Sequence, residues 1–291
     1  MTSPQQPHIL VGLIGAGIGS SHSPLLHEKE ADRRGIRLHY TTIDSDAHGL
    51  TADDLPGLLR WARTLGYRGL NVTYPFKQQI VRHLDQLSAQ ARTLKAVNTV
   101  VFTDDGTCGY NTDAVGFARH FDRAFTVVPR NQVVQLGAGG AGSAVAHAML
   151  TLGAGRLTLV DVDRAKAHRL AALLAGEFGN DRIRVGAPAE VAALLAGADG
   201  LINTTPIGMA HHPGCPVPVG VLRPDLWVAD IVYRPTDTAL LQAARATGAR
   251  TLPGAGMSVY QAVAAFEHFT GIPAEPEAML ADSADLLRNG L

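Results

Sequence analysis

The chain has 291 residues, of which 46% are hydrophobic and 18% charged, so it can build the cores of two globular domains. Its formal net charge of −1 excludes the broad basic field by which proteins hold nucleic acid or an anionic membrane surface. The apolar runs are too short to span a bilayer, and the segment at 1–7 has no signal-peptide features, so we predict a soluble cytoplasmic protein. The two cysteines lie far apart in sequence, which predicts neither a metal clip nor a disulfide framework.

In the first third of the chain, apolar runs alternate with helix-like stretches. The predicted elements are a strand at 9–14, a helix at 24–34, a strand at 38–43, a helix at 53–65 and a strand at 69–72. This βαβαβ order is typical of a largely parallel sheet with helices on its faces. Two further strands, at 98–102 and 107–110, flank a short polar turn and predict a hairpin.

A second alternating series follows and predicts a second α/β region. Its strands are predicted at 132–136, 157–160, 183–185, 200–202 and 227–231, with helices at 141–152, 164–178 and 189–196. Two closing helices are predicted at 259–269 and 277–287.

The turn Gly137–Gly142 fits the pattern G-x-G-x-x-G, follows a predicted strand and opens an alanine-rich helix. The first glycine makes the tight turn, the second lets backbone approach a pyrophosphate, and the third lets helix and strand pack closely. The helix N-terminus adds free N–H groups and the positive end of the helix dipole. The alternative is a tight strand–helix turn without a ligand.

The end of the next strand favours the nucleotide interpretation. Asp161 stands ~20 residues beyond the glycine turn, where an acid accepts hydrogen bonds from the ribose hydroxyls and repels a 2′-phosphate. We therefore predict NAD rather than NADP. Arg164 and Lys166 lie nearby, and either a phosphate contact or a solvated first helical turn explains them.

An earlier turn, Gly15–Gly19, also follows a strand, but Ser20 stands where the third glycine belongs, so we do not interpret it as a nucleotide site. Ser23 suits an N-cap and Pro24 suits the first helical position. Together with Ser21, these hydroxyls beside a helix N-terminus indicate a site for a small anion such as a carboxylate, or alternatively a plain serine cap.

Polar residues of types that can act in catalysis follow the third predicted strand and stand at either side of the predicted hairpin. Thr73 and Lys77 follow the strand at 69–72, at the carboxyl end where open α/β sheets bind ligands. Asn98 precedes the hairpin and Asp113 follows it. Taken singly, Lys77 would be a surface lysine, Asn98 a turn residue and Asp113 a helix cap.

Taken together, these motifs resemble the shikimate dehydrogenase family over essentially the whole chain. The segments that carry the resemblance are 21–24, 71–77, 96–99, 111–113, 137–142 and 254–257 leading to Gln261. Asp161 and the segments 203–209 and 230–233 are most similar to the NAD-dependent quinate/shikimate branch. The family's NADP-dependent members carry a basic cluster after the strand that corresponds to 157–160. Here Asp161, Val162 and Asp163 stand in place of that cluster, and this favours NAD-linked oxidation.

The resemblance implies an α/β fold of two domains with an interdomain cleft. An N-terminal α/β substrate-binding domain would comprise 1–113 plus 254–291, and a Rossmann-type dinucleotide-binding domain would comprise 114–253. It also implies interconversion of shikimate and 3-dehydroshikimate by hydride transfer, in a monomer or homodimer without a metal. Quinate is a possible second substrate. We associate a threonine at position 23 with tolerance of quinate, so Ser23 favours shikimate.

The resemblance also assigns roles to individual residues. Lys77 and Asp113 would form the catalytic acid–base pair. The substrate carboxylate would be held by Ser21, Ser23 and Tyr233, and its ring hydroxyls by Thr73, Asn98 and Gln261. The dinucleotide would be bound by Gly137, Ala138, Gly139, Gly140, Ala141, Gly142, Asp161, Arg164, Thr204, Pro206, Met209, Gly254 and Met257.

Three alternatives stay open at this point. The substrate could be an amino-substituted analogue of quinate or shikimate. The chain could be a non-catalytic NAD-binding sensor of the same fold, although a sensor would not need both Lys77 and Asp113. A folate-linked two-domain dehydrogenase is the third, and the Ser21 and Ser23 motif argues against it.

Overall fold

The computed structural model describes residues 8–288, so the N-terminal segment at 1–7 lies outside the described residues. The chain divides into two compact units. The first comprises the described residues up to Thr112 together with those from Val259 onward, and the second comprises Asp113–Ser258. Between residues 8 and 288, none of the helices combines the length and apolar character that crossing a membrane requires.

Twelve strands and eleven α-helices make up the described part of the chain. The strands are β1 His8–Gly15, β2 Arg37–Asp44, β3 Tyr67–Val72, β4 Gln86–Leu87, β5 Thr99–Thr103, β6 Gly106–Tyr110, β7 Gln132–Leu136, β8 Arg156–Val160, β9 Ile183–Gly186, β10 Gly200–Asn203, β11 Trp227–Asp230 and β12 Thr251–Pro253. The helices are α1 Ser23–Arg33, α2 Ser45–His48, α3 Leu55–Thr64, α4 Ala89–Leu94, α5 Thr112–Ala124, α6 Gly140–Thr151, α7 Arg164–Phe178, α8 Val191–Ala196, α9 Ala239–Ala246, α10 Ala255–Thr270 and α11 Pro276–Arg288.

The first unit is built on a mixed sheet with the strand order β2-β1-β3-β5-β6-β4. Strands β1, β2 and β3 run parallel, as their βαβαβ order predicts. The predicted hairpin is confirmed, since β5 pairs antiparallel with β6, and it also makes β5 antiparallel to β3. Strand β4 pairs parallel with β6, so of the six described strands of this sheet β5 alone runs against the others. The carboxyl ends of β1 and β3 lie side by side.

The second unit is built on a sheet with the order β12-β11-β10-β7-β8-β9, in which every pair is parallel. Numbered from β7, this is the order 6-5-4-1-2-3 of a dinucleotide-binding Rossmann fold. The order reverses at β7, so the crevice between β7 and β10 is the switch point at which such sheets bind ligands. The predicted glycine turn follows β7 directly and therefore lies at this point.

Both sheets are held by apolar cores of their own. In the first unit, Ile14, Leu70 and Phe76 are among the buried side chains packed between β1, β3 and α3. In the second unit, Trp227 is buried at the start of β11 and its ring meets Phe121 of α5 edge-on at 5.0 Å. These cores fix the strands, and the strands in turn fix the turns that leave their carboxyl ends.

Candidate functional site

The glycine turn after β7 has a steric reason at two of its three fingerprint positions. Gly137 has φ +95°, and a Cβ there would lie 2.7 Å from the Thr204 hydroxyl. A Cβ at Gly142 would lie 2.6 Å from the Gly137 carbonyl oxygen. Gly139, in contrast, has φ −76°, and a Cβ there would meet nothing within 4 Å. The first and third glycines are thus required by the protein's own packing, whereas the second leaves open space.

The backbone amides of this turn form a place for an anion. Helix α6 begins at Gly140, and its N-cap, Gly139, supplies no side chain to accept from the first amides. Among residues 8–288, the N–H groups of Gly139, Gly140 and Ala141 have no acceptor. They stand at the positive end of the α6 dipole, which is a favourable place for phosphate oxygens.

Asp161 lies against the same turn. Its Oδ2 accepts from the backbone N–H of Ala138 at 2.7 Å, and its Oδ1 accepts from that of Asp163 at 2.8 Å. A carboxylate has about four acceptor positions, so two remain for ligand hydroxyls. Lys166 lies 4.0 Å from the Asp163 carboxylate, and Arg164 is an exposed residue at the start of α7. The carboxylate is thus fixed beside the turn, and Arg164 is the nearby cation without a carboxylate partner in the described chain.

Thr204, which follows β10, supports the turn from the neighbouring strand. Its hydroxyl donates to the carbonyl oxygens of Leu136 at 2.7 Å and of Gly137 at 2.9 Å. Its Oγ1 proton is shared between these two acceptors. The side chain therefore braces the turn, whatever it contributes to a ligand.

A buried polar pair, Asn203 and Asp230, joins the loops that leave β10 and β11. Asn203 donates to the Asp230 carboxylate at 3.0 Å, and Thr238 donates to the same carboxylate at 2.7 Å. Burial raises the pKa of Asp230, and the hydrogen bonds from Thr238, Val232 and Asn203 oppose this rise. The pair was not among the predicted site residues, although each member is the polar residue that ends an apolar strand.

This pair holds the loops that carry three predicted ligand contacts. Asn203 accepts from the Thr205 N–H at 3.1 Å and donates to the Ile207 carbonyl at 3.0 Å, which shapes the loop bearing Pro206 and Met209. Met209 and Tyr233 are exposed, as expected of residues that meet a ligand. The side chains of all three lie on loops at the carboxyl end of the sheet.

Gly254 and Met257 lie where β12 passes into α10. A Cβ at Gly254 would lie 2.4 Å from the backbone of Ile231, so this glycine allows the chain to cross the loop after β11. Met257 is buried within α10, which begins at Ala255, four residues before the predicted start. Met257 is therefore a helical residue and not part of a loop.

In the first unit, Thr73 and Lys77 occupy the turn that leaves β3. Thr73 follows the strand directly, and its methyl group lies against Gly15 at the end of β1, since a Cβ there would be 2.2 Å from it. The fully buried Phe76 anchors the turn, and the Lys77 carbonyl accepts from Val97 at 2.8 Å. The Lys77 side chain is half-buried at the carboxyl end of β3, beside the segment that carries Asn98.

Asn98 and Gln261 are brought together by Thr112, which was not a predicted site residue. The Asn98 Oδ1 accepts from the Thr112 N–H at 2.7 Å, and its Nδ2 donates to the Thr112 hydroxyl at 3.0 Å. The Thr112 hydroxyl is 3.4 Å from the Gln261 Oε1. Asp113 follows in the first turn of α5, which begins at Thr112, so Asp113 is not the cap of that helix.

The Asn98 side chain belongs to a longer buried network. Asn71 donates to the Thr99 hydroxyl at 3.0 Å and accepts from the Tyr40 hydroxyl at 2.8 Å. Tyr40 is buried and its hydroxyl is also hydrogen-bonded to Ser23. Burial raises the pKa of Tyr40, and the bond to Ser23 opposes that rise. The network thus connects the start of α1 with the segment that holds Asn98.

The predicted N-cap role of Ser23 is wrong. Helix α1 begins at Ser23 itself, its N-cap is His22, and no side chain caps it. Ser21 accepts from the Ser23 N–H at 3.3 Å, while the Ser23 hydroxyl is drawn to Tyr40. The two serines therefore lie at the helix start without capping it.

The earlier glycine turn is closed by its own acid. Asp44, at the end of β2, accepts from the N–H groups of Gly17 at 3.1 Å and Ile18 at 3.0 Å. These are the amides that a phosphate would need.

Between residues 8 and 288, no group of three or more His, Cys, Asp or Glu side chains is placed to hold a metal ion.

Comparison with known proteins places this geometry in a family. The chain is 53% identical to the shikimate dehydrogenase (NADP(+)) of Streptomyces avermitilis over 97% of each chain. It is 43% identical to the quinate/shikimate dehydrogenase (NAD(+)) of Corynebacterium efficiens, over 94% of this chain and 96% of that one. The chain belongs to the shikimate dehydrogenase family. The predicted family is thereby confirmed, and with it an oxidoreductase of the shikimate and quinate dehydrogenase type.

Models of protein families and a solved structure agree with this assignment. The shikimate dehydrogenase substrate binding domain matches residues 13–100, and the shikimate 5′-dehydrogenase C-terminal domain matches 254–281. The saccharopine dehydrogenase NADP binding domain matches 133–210. The quinate dehydrogenase from Corynebacterium glutamicum in complex with NAD superposes with a TM-score of 0.92 at 41% identity, over 96% of this chain and 99% of that one. The predicted two-domain α/β class with a Rossmann-type domain is confirmed.

Proposed function

We propose that this chain is an NAD-dependent dehydrogenase that interconverts shikimate and 3-dehydroshikimate, with quinate as a second substrate. The observation that carries the proposal is the turn Gly137–Gly142, whose unpaired amides stand beside the fixed carboxylate of Asp161. The turn suits a pyrophosphate, and the carboxylate suits ribose hydroxyls.

The preference for NAD rests on charge. A 2′-phosphate on the ribose would bring about two negative charges toward Asp161, whose hydrogen bonds to Ala138 and Asp163 hold it in place. The relatives divide on this point, since the Streptomyces relative is named for NADP(+) and the Corynebacterium relative for NAD(+). If the chain used NADP instead, Arg164 is the residue that would bind the 2′-phosphate.

The reaction needs a group that transfers a proton and a group that orients the hydroxyl, and Lys77 and Asp113 would fill these two roles. Bound NAD supplies the acceptor for the hydride that leaves the carbinol carbon. Lys77 acts as the base that takes the proton from the hydroxyl oxygen, so that a carbonyl group remains, and it returns this proton in the reverse direction. Asp113 accepts a hydrogen bond from the same hydroxyl and orients it.

The remaining polar residues bind and orient the substrate. Ser21, Ser23 and Tyr233 would hold its carboxylate, and Thr73, Asn98 and Gln261 its ring hydroxyls. The network supports this role for Asn98, because Thr112 fixes which end of the amide carries the protons. One Nδ2 proton goes to Thr112, and the second is left to donate to a substrate hydroxyl oxygen.

The proposal is tested by measuring NADH or NADPH formation at mildly alkaline pH. Shikimate and quinate are each run with NAD and with NADP at equal concentrations. We expect the highest kcat/KM for shikimate with NAD, and a lower value for quinate with NAD. No turnover with any pairing, from protein that still binds NAD, would contradict the proposal and favour an amino-substituted substrate or a non-catalytic sensor.

A further inference from the structure

One polar side chain, Gln135, lies inside the otherwise apolar strand β7, two residues before the glycine turn. It is fully buried, between the apolar residues Val134 and Leu136. A buried amide needs hydrogen bonds to offset the loss of water, so its partners show what it is there to hold.

The Gln135 amide holds both ends of the glycine turn. Its Nε2 donates to the Gly137 carbonyl at 2.9 Å and to the Gly142 carbonyl at 2.8 Å. The orientation of the amide is fixed by this chemistry, because a flipped amide would place its oxygen against two carbonyl oxygens. One side chain therefore ties the first glycine of the fingerprint to the third.

The oxygen end of the same amide is buried without a hydrogen bond in the described chain, which is energetically unfavourable. The Gln135 Oε1 is buried and has no hydrogen-bond partner among residues 8–288. An apolar side chain of the same size would fill the site without leaving a buried acceptor unpaired. The donor end is thus what distinguishes glutamine from such a residue at this position.

We infer that Gln135 is a positioning residue for the dinucleotide, an inference that rests on the proposed function of the turn. By fixing the two ends of the turn, it holds the amides of Gly139, Gly140 and Ala141 in the arrangement that receives the pyrophosphate. Gln135 has no exposed surface, so it acts through the turn and does not touch the ligand. Thr204 braces the same Gly137 carbonyl from β10, and the two side chains approach it from different strands.

The matched test compares Gln135→Met with Thr158→Val. Methionine keeps the length of the side chain and removes both donors, whereas Thr158 is a buried polar residue of β8 that has no bond to the turn. Dissociation constants for NADH and NADPH are measured by fluorescence, and KM for shikimate and kcat are measured at saturating dinucleotide. We expect Gln135→Met to raise the dinucleotide Kd about tenfold, with kcat and the shikimate KM within about twofold of the wild type.

Each outcome decides one point. An unchanged dinucleotide Kd in Gln135→Met, or an equal rise in Thr158→Val, would overturn the positioning role. Wild-type protein that binds neither NADH nor NADPH would instead overturn the proposed function. If the methionine variant does not fold, Gln135→Leu replaces it, since leucine is also apolar and has no donor for the two carbonyls. Wild-type dinucleotide affinity in Gln135→Leu would overturn the inference in the same way.

Discussion

Two glycine-rich turns, one in each unit, begin in the same way. Gly15 is the last residue of the central strand of a parallel trio, and Gly137 directly follows such a strand. A Cβ at either position would collide with a threonine that leaves the neighbouring strand. These threonines, Thr73 and Thr204, also donate their N–H groups to the residue before each glycine. The same local design thus occurs twice in one chain.

The two turns differ in what becomes of their amides. Asp44 takes the N–H groups of Gly17 and Ile18, so a protein carboxylate occupies the anion position of the first turn. Asp161 takes only one amide of the second turn, that of Ala138, among the residues described. A carboxylate and a ligand phosphate compete for the same donors, so a glycine fingerprint marks a nucleotide site only where the amides stay open.

The largest expected effect separates chemistry from dinucleotide binding. Lys77→Ala, in the unit with the closed turn, should lower kcat about 10³-fold because it removes the proposed acid–base group. The dinucleotide Kd should stay within about twofold of the wild type. Lys29→Ala, which removes an exposed lysine paired with Asp282 in the same unit, is the control and should leave kcat unchanged. Near-normal turnover in Lys77→Ala would refute its role.

A smaller effect tests the comparison of the turns directly. Gly139→Ala adds a methyl group where the structure leaves open space, so the melting temperature should be unchanged. The same methyl group should meet the pyrophosphate and raise the dinucleotide Kd at least about tenfold. Gly19→Ala is the matched control, since its Cβ also meets nothing within 4 Å. Equal dinucleotide affinities in the two variants would show that the second turn is not the binding site.

The smallest expected effect concerns stability alone. Desolvation raises the pKa of Asp44, but hydrogen bonds from Asp46, Gly17, Ile18 and Ala47 outweigh it, so the folded-state pKa lies below the ordinary 3.8. The carboxylate therefore stabilises the fold above pH 3.8, and this stabilisation is lost as the pH falls through the lowered value.

Asp44→Asn should accordingly unfold at lower urea concentration than the wild type at pH 7, and the difference should shrink below pH 3.8. Its dinucleotide Kd should not change. Asp32→Asn, at an exposed position of α1, serves as the control. A weakened dinucleotide affinity in Asp44→Asn would mean that the first turn takes part in cofactor binding after all.

Much of the fold can be predicted from the sequence because of how the second sheet is buried. Strands covered on both faces are continuous apolar runs, and all the strands from β7 to β11 were predicted within a residue or so at each end. Strands β4 and β12 were missed, since one has two residues and the other ends in proline. A run that short carries no periodicity to detect.

Site residues could be predicted from the sequence only where a motif marks them, and their roles stay predictions. Asp230 and Tyr40 act through contacts between strands that are distant in sequence, and no local pattern shows such contacts. Gln135 bonds to the glycine turn that follows its own strand, but a single glutamine in an apolar run carries no motif that marks this role. The error at Ser23 has the same origin, because its hydroxyl bonds to Tyr40 on β2 and not to the amides of its own helix. Tertiary hydrogen bonds thus override local capping preference.

We propose that this chain uses NAD, with the pyrophosphate on the open turn Gly137–Gly142 and the ribose hydroxyls on Asp161. The most direct test is the ratio of kcat/KM with NAD to kcat/KM with NADP, using shikimate, for the wild type, Asp161→Ser and Asp163→Ser. The Asp163 side chain caps α7, a role that serine also fills, so that variant is the control. We predict a wild-type ratio of at least about 10 that falls at least about tenfold in Asp161→Ser and not in Asp163→Ser. A wild-type preference for NADP, or a ratio that Asp161→Ser leaves unchanged, would contradict the account.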